Sequence, residues 1–217
     1  MTAAYVHHRV MCAPRRWQAV ADRLIVAEKP ALTEAGGRLY GIWRSQIGRP
    51  RDELNIVTCW LETDVALAGG EHWLGAAADE IVDHTSLAMV PTLRPENEQP
   101  PTRQGNYAFR FFETPSTEWD EFLELCAGAW PGFEASYDSQ VIGLWRFEPQ
   151  KPGVVESLLL TRRPDLAMWE RSKVPQGELE ADVRRKLSRR YDLCDNTWVF
   201  TTTLITAADR RDDARWT

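Results

Sequence analysis

The stretches YVHHRVMC, from Tyr5, and YAFRFFET, from Tyr107, are rich in aromatic and β-branched residues, and each runs out at a nearby proline. Runs of that kind bounded by a breaker predict strands. After the second, Thr114 can cap a helix, Pro115 suits the first helical position, and Glu118 falls in the first turn. Trp119, Phe122, Leu123, Cys126 and Trp130 then recur on one helical face. Pro14, Trp17, Val20, Ala21 and Leu24 repeat the arrangement after the first. Strands follow at 38–45 and 139–147, then at 54–61 and 156–163. A second helix comes next, with Leu179, Val183, Leu187 and Tyr191 spaced by four in the later copy. Closing strands are expected at 85–90 and 197–205.

The order is βαββαβ, twice, and rare residues support a repeat. Gly41, Trp43 and Arg44 match Gly143, Trp145 and Arg146 at an offset of 102, as Tyr5 matches Tyr107 and Trp17 matches Trp119. By the last strands the offset is 112, so the second copy has gained about ten residues, placed around 174–177. A βαββαβ unit lays both helices on one face of an antiparallel sheet and leaves the other face bare. Two such faces can cover each other, since a large apolar patch does not persist on a soluble monomer. The expected fold class is therefore α+β: two tandem ferredoxin-like (βαββαβ) domains packed sheet-to-sheet as an intramolecular dimeric α+β barrel. The domains are 1–92 and 107–206. A proline-rich linker at 93–106 joins them, and a charged tail covers 207–217.

GGRLYGIWRSQIGRPRDELNIVTCW, followed by MVPTLRP, resembles the NIPSNAP family, whose members carry a G-x-L-x-G-x-W turn and an N-x-V-x-x-x-W strand. VIGLWRFE and SLLLTRRPDLAMWER repeat the pattern more weakly. The resemblance implies the dimeric α+β barrel superfamily, which includes cofactor-independent monooxygenases, small isomerases, dehydratases and haem-degrading enzymes. It supplies no agreed catalytic set.

Composition narrows the partners. A net charge of −6 with dispersed basic residues disfavours nucleic acid, and four scattered cysteines without C-x-x-C suit a reducing cytoplasm. No membrane span or apolar leader stands out. With the dimerising face already covered within the chain, a monomer (pseudo-dimer) or a homodimer is expected.

Alternation along the strands proposes a central cavity. His8, Arg110 and Phe112 are placed on its face, with Val6, Val10 and Ala108, while Phe109 and Phe111 turn to the helices. Trp43 and Trp145 join from the Gly-x-Trp strands, and His84 and Asn196 from the closing strands. In this reading His8 or His84 moves a proton and Arg110 steadies an enolate or carboxylate, while Trp43, Trp145, Asn196 and Phe112 bind substrate. The imidazoles place the chemistry on the first sheet. The expected function is cofactor-independent oxygenation, isomerisation or cyclisation of a hydrophobic aromatic or polyketide-like molecule in natural-product metabolism, with no metal and no haem. A non-catalytic binding or protein-interaction module is the alternative. Blander roles weigh against the site: Trp43 and Trp145 can simply fix the Gly-x-Trp turn in a core, and Arg44 and Arg146 can pair with Asp52 or Glu148. His7 and His8 point to opposite faces and cannot share a metal.

Overall fold

The computed structural model describes residues 4–209. Strand β1 (Ala4–Cys12) leads to α1 (Trp17–Val26), the hairpin β2 (Gly37–Ile47) and β3 (Glu53–Trp60), α2 (Thr63–Leu74), and β4 (Ile81–Arg94). The second half runs β5 (Asn106–Pro115), α3 (Trp119–Tyr137), β6 (Gln140–Glu148), β7 (Val154–Arg163), α4 (Leu166–Arg171), α5 (Glu178–Asp192) and β8 (Asn196–Leu204). All paired strands are antiparallel, and the first and second halves share one internal order, β4-β1-β3-β2 and β8-β5-β7-β6. Among the described residues no helix is long and apolar enough to cross a membrane.

The two four-stranded sheets face one another, but they are also joined at their edges. Hydrogen bonds between β2 and β8, and between β4 and β6, close all eight strands into one barrel. Closure removes the exposed edges that two stacked sheets would keep. β4 extends through Pro91 to Arg94 because it pairs with β6 beyond the point where β1 stops. Pro91 lies past the last β1 pair, Tyr5 with Met89, so its missing N–H empties no ladder bond there. The helix expected at Thr114–Pro115 begins later, at Trp119. Both residues remain in β5, and the turn is closed by Glu118 N–H donating to the Pro115 carbonyl. The tail expected at 207–217 lies, from residue 210, outside the described residues.

Three apolar layers result. The barrel interior holds Tyr5, Trp43, Tyr107, Phe109, Phe111, Trp145, Phe147 and Phe200. An eight-stranded barrel is just wide enough for such side chains to fill. This reverses the facing read from the sequence. Phe109 and Phe111 point inward, whereas His8, Val6, Val10, Arg110 and Phe112 point outward, under the helices. The structure also gives the Gly-x-Trp motif its physical meaning. Each indole folds back over the glycine two residues earlier. A Cβ on Gly41 would lie 2.5 Å from the Trp43 ring, and one on Gly143 would lie 2.2 Å from the Trp145 ring. Both glycines directly follow a bulge, at Tyr40 and Ile142 respectively.

Candidate active site

The outer layers of the two halves are not alike. Under α2 the layer is sealed by Trp60, Trp73 and His8, all essentially without exposure. Under α3 and α5 there is a cavity of about 440 Å³, lined by Phe112, Trp130, Phe133, Leu159 and Val183 among others. The sheet and three helices each supply a wall. Phe112 and Leu159 stand on the outer face of β5 and β7, Trp130 and Phe133 come from α3, and Val183 comes from α5. Trp169 comes from α4, a helix between β7 and α5 that has no counterpart between β3 and α2. Arg171 of α4 forms a bidentate pair with the buried Glu180 of α5, at 2.7 and 2.9 Å, which holds this wall in place.

Four arginines and Lys173 line this space; Arg184 and Lys173 are exposed, while three arginines reach inward: Arg110 from β5, Arg163 from the end of β7, and Arg190 from the last turn of α5. None is ion-paired among the described residues. Arg110 makes no side-chain hydrogen bond there either. Burial pushes its guanidinium down to about 10, and the charge of Arg190 pushes the same way. Arg163 is stacked between aromatic rings, 4.4 Å from the Trp169 centroid and 5.1 Å from that of Phe133. Its Nη1 donates weakly to Thr161 Oγ1 at 3.3 Å, and its Nε is buried without a partner. Burial, then the charge of Arg110, lowers it to about 10. Arg190 lies over Phe112 and Phe122, 4.9 and 5.7 Å from their centroids, and donates to the Cys126 sulfur at 3.5 Å. Its Nε too is buried without a partner. The one carboxylate lining the cavity, Asp192, stands exposed and pairs with none of the three.

The residues singled out from sequence are divided among three places. Arg110 and Phe112 meet in the cavity. His8 is in the other half, sealed beneath α2, with Nδ1 2.9 Å from Ser86 Oγ and Nε2 3.1 Å from Thr58 Oγ1. Burial drives its pKa down to about 3. His84 is exposed on β4 and touches Glu71 of α2. No shared cavity therefore unites His8, His84 and Arg110. The inverted facing moves His8 and Arg110 to opposite outer layers, far from the interior they were assigned to. Trp43 and Trp145 do face the interior, but it is filled. Both are fully buried, with indole Nε1 atoms that have no partner. Asn196 is exposed at the start of β8, opposite Glu113. His7 faces inward instead, bonded to Asn55 Oδ1 at 3.0 Å and beside Phe109. Arg146 pairs with Glu148 at 2.8 Å, and Arg44 lies 4.0 Å over the Trp17 ring.

Arg163, Arg190 and Trp169 are cavity residues that the sequence does not single out, and Trp130, expected only on a helical face, lines the cavity as well. A signal existed in the run LLLTRRP, where an apolar strand ends in two arginines, but no sequence rule tells a stacked cavity arginine from a strand-end cap.

No protein-family profile matches the chain, and no curated protein is similar to it. Solved structures are similar in fold. A candidate monooxygenase from Lactobacillus acidophilus NCFM superposes with a TM-score of 0.62 at 10% identity, covering 98% of this chain and 100% of that one. An anthrone oxidase-like protein gives 0.61 at 12%, covering 98% and 96%. A haem-binding protein from Thermus thermophilus gives 0.57 at 13%, covering 94% and 92%. These neighbours are dimeric α+β barrels, and identities this low establish the shared fold alone.

Proposed function

We propose that this chain is a small-molecule enzyme of the NIPSNAP-like, tandem two-copy type, acting on an aromatic or polyketide-like substrate in the cavity of its second half. Two ferredoxin-like units, each beginning a half of the barrel, fit the shared strand order and the matched Gly-x-Trp bulges. The observation that carries the functional reading is the cavity itself, in which aromatic walls from Phe112, Trp130, Phe133 and Trp169 surround a group of basic side chains, a mixed lining that can hold a small ligand.

The mechanism differs from a histidine-based one, because no imidazole lines the cavity; all four histidines lie at positions 7, 8, 72 and 84. A substrate phenol or enolisable ketone placed beside Arg110 has its own pKa lowered by the guanidinium field. Its proton leaves to solvent at the Asp192 rim, and the carbanion or enolate that remains is the species that can isomerise, cyclise or react with dioxygen. The walls from Phe133, Trp130 and Val183 exclude water from it.

Haem does not fit the same space. Neither imidazole, thiolate nor thioether lines it. Of its two tyrosines, Tyr137 has its hydroxyl engaged by Glu180 and Arg171, and Tyr191 stands exposed at the rim. The cavity thus offers iron no well-placed axial ligand.

The absence of a side-chain base favours one second reading, a carrier that binds without turnover. Oxygen uptake with anthrone as probe separates the two. The enzyme reading expects uptake above the uncatalysed rate that is lost in Ala108→Phe, which fills the cavity from β5. Saturable binding without uptake leaves the carrier, and uptake unaffected by Ala108→Phe removes the cavity from the account.

A further inference from the structure

Of the three cavity arginines, Arg190 is buried and Arg110 and Arg163 are half-buried, so none is fully solvated. A buried cation is ordinarily paired with a carboxylate or neutralised, because burial alone costs several kcal/mol per ion. Other shielded arginines of the chain do have an acceptor: Arg171 pairs with Glu180, Arg94 with Glu134, Arg49 with Glu53, and the buried Arg162 donates to the Gln104 carbonyl at 2.7 Å. Arg110, Arg163 and Arg190 do not. Their like charges also oppose one another: burial leads the lowering of Arg110 and Arg163, and the charge of Arg190 on Arg110 and of Arg110 on Arg163 pushes the same way. Arg163 and Arg190 each hold a buried Nε–H with no acceptor. The rings of Trp169 and Phe133 beside Arg163, and of Phe112 beside Arg190, hold these cations by cation–π contact without supplying a hydrogen-bond acceptor.

From this geometry we infer that the ligand of the cavity carries an anionic group, a carboxylate or an ionised phenol, on an aromatic body. The anion accepts the unpartnered N–H groups and the rings take the body. This rests on the reading of the cavity as the ligand site and names its substrate class. A planar oxyanion suits guanidinium forks, which bind it through paired N–H donors. Arg110, bare of hydrogen bonds, is the arginine with most to gain.

The same argument makes these arginines destabilising in the free protein, which separates recognition from a structural role. The test is calorimetric titration of the wild type, Arg110→Met and Arg163→Met with 2-naphthoate and with its neutral isostere 2-naphthamide, alongside thermal unfolding without ligand. The carboxylate is expected to bind the wild type roughly tenfold or more tighter than the amide, the increment of a hydrogen bond to a charged group. Each variant loses that preference and keeps the amide's affinity, while its ligand-free Tm rises by about 2–4 °C. Equal affinity for acid and amide, or a Tm that falls in both variants, overturns the inference and leaves the cavity as a neutral-ligand site. If neither compound binds, the ligand-site reading itself fails.

Discussion

The two outer layers of this barrel share a strand order and face their helices with equivalent strands, yet one is solid and the other hollow. Under α2, Gly69 and Gly70 let the helix settle onto the sheet: a Cβ on Gly69 would lie 2.4 Å from the Trp60 ring, and one on Gly70 would lie 2.5 Å from His8 Cε1. Trp73 fills what remains and donates its indole N–H to the Leu24 carbonyl at 3.0 Å. Under α5 the corresponding strand position carries Arg110 in place of His8, and α4 contributes Trp169 to the cavity lining. One copy of the layer serves as core. Its counterpart, relieved of that duty, can keep space and charge that a core would not tolerate.

If that contrast is right, removing a tryptophan from each layer gives unlike results. Trp73→Ala leaves a void in a close-packed layer and is expected to cost about 3–5 kcal/mol. Trp169→Ala, at a wall that already borders space, costs under about 1 kcal/mol and weakens 2-naphthoate binding instead. Urea unfolding of both variants decides it, and similar losses would erase the distinction.

Gly70→Ala sharpens the claim of close approach. The His8 ring is held at both nitrogens and has nowhere to retreat, so overpacking should cost about 1–3 kcal/mol. A variant as stable as wild type would mean that α2 lies higher than described.

The buried histidines of the first half set a pH dependence that the cavity arginines do not share near neutrality. His8 and His7 have folded pKa values lowered from 6.5 to about 3 and about 4, with burial the leading cause in each. Between those values and 6.5 the unfolded chain binds protons that the folded chain refuses. Their contribution is therefore intact above pH 6.5 and is lost as pH falls toward 4 and 3, by at most about 1.4 kcal/mol per pH unit for each ring. His8→Gln should flatten the stability profile between pH 6.5 and 5 by close to one proton's worth. An unchanged slope would show that His8 is not the neutral, sealed group described.

The smallest effect is expected from filling. Ala108→Val adds volume toward the cavity and should leave stability within about 0.5 kcal/mol. Val6→Leu adds volume at the equivalent place in the sealed layer and should cost about 1–3 kcal/mol. Equal penalties at both positions would argue that the cavity closes in solution.

Much of the architecture was legible because it is written in periodicity. The helical spacing of Trp119, Phe122, Cys126 and Trp130, and the repeated Gly-x-Trp, located elements that the structure contains. The facing of β1 and β5 was not legible. Phe109, Phe111, Arg110 and Phe112 offer apolar residues to both sides, as strands buried on both faces do, so alternation alone does not say which side is the barrel interior. That single parity decides where His8 and Arg110 go. The role of His8 was not legible either, since a histidine with both nitrogens satisfied by Ser86 and Thr58 reads in sequence like one waiting for substrate. The cavity arginines were hidden for the opposite reason: their distinguishing feature is the absence of a partner, which only the assembled fold exhibits.

The central claim, that the ligand space lies under α3 and α5 and neither under α2 nor inside the barrel, is open to one direct measurement. Assigned tryptophan indole N–H resonances report each space separately: Trp130 and Trp169 for the cavity, Trp60 and Trp73 for the sealed layer, Trp43 and Trp145 for the interior. Titration with 2-naphthoate is predicted to shift Trp130 and Trp169 saturably and to leave the other four in place. Shifts at Trp60 and Trp73, or at Trp43 and Trp145, with Trp130 and Trp169 unmoved, would contradict it.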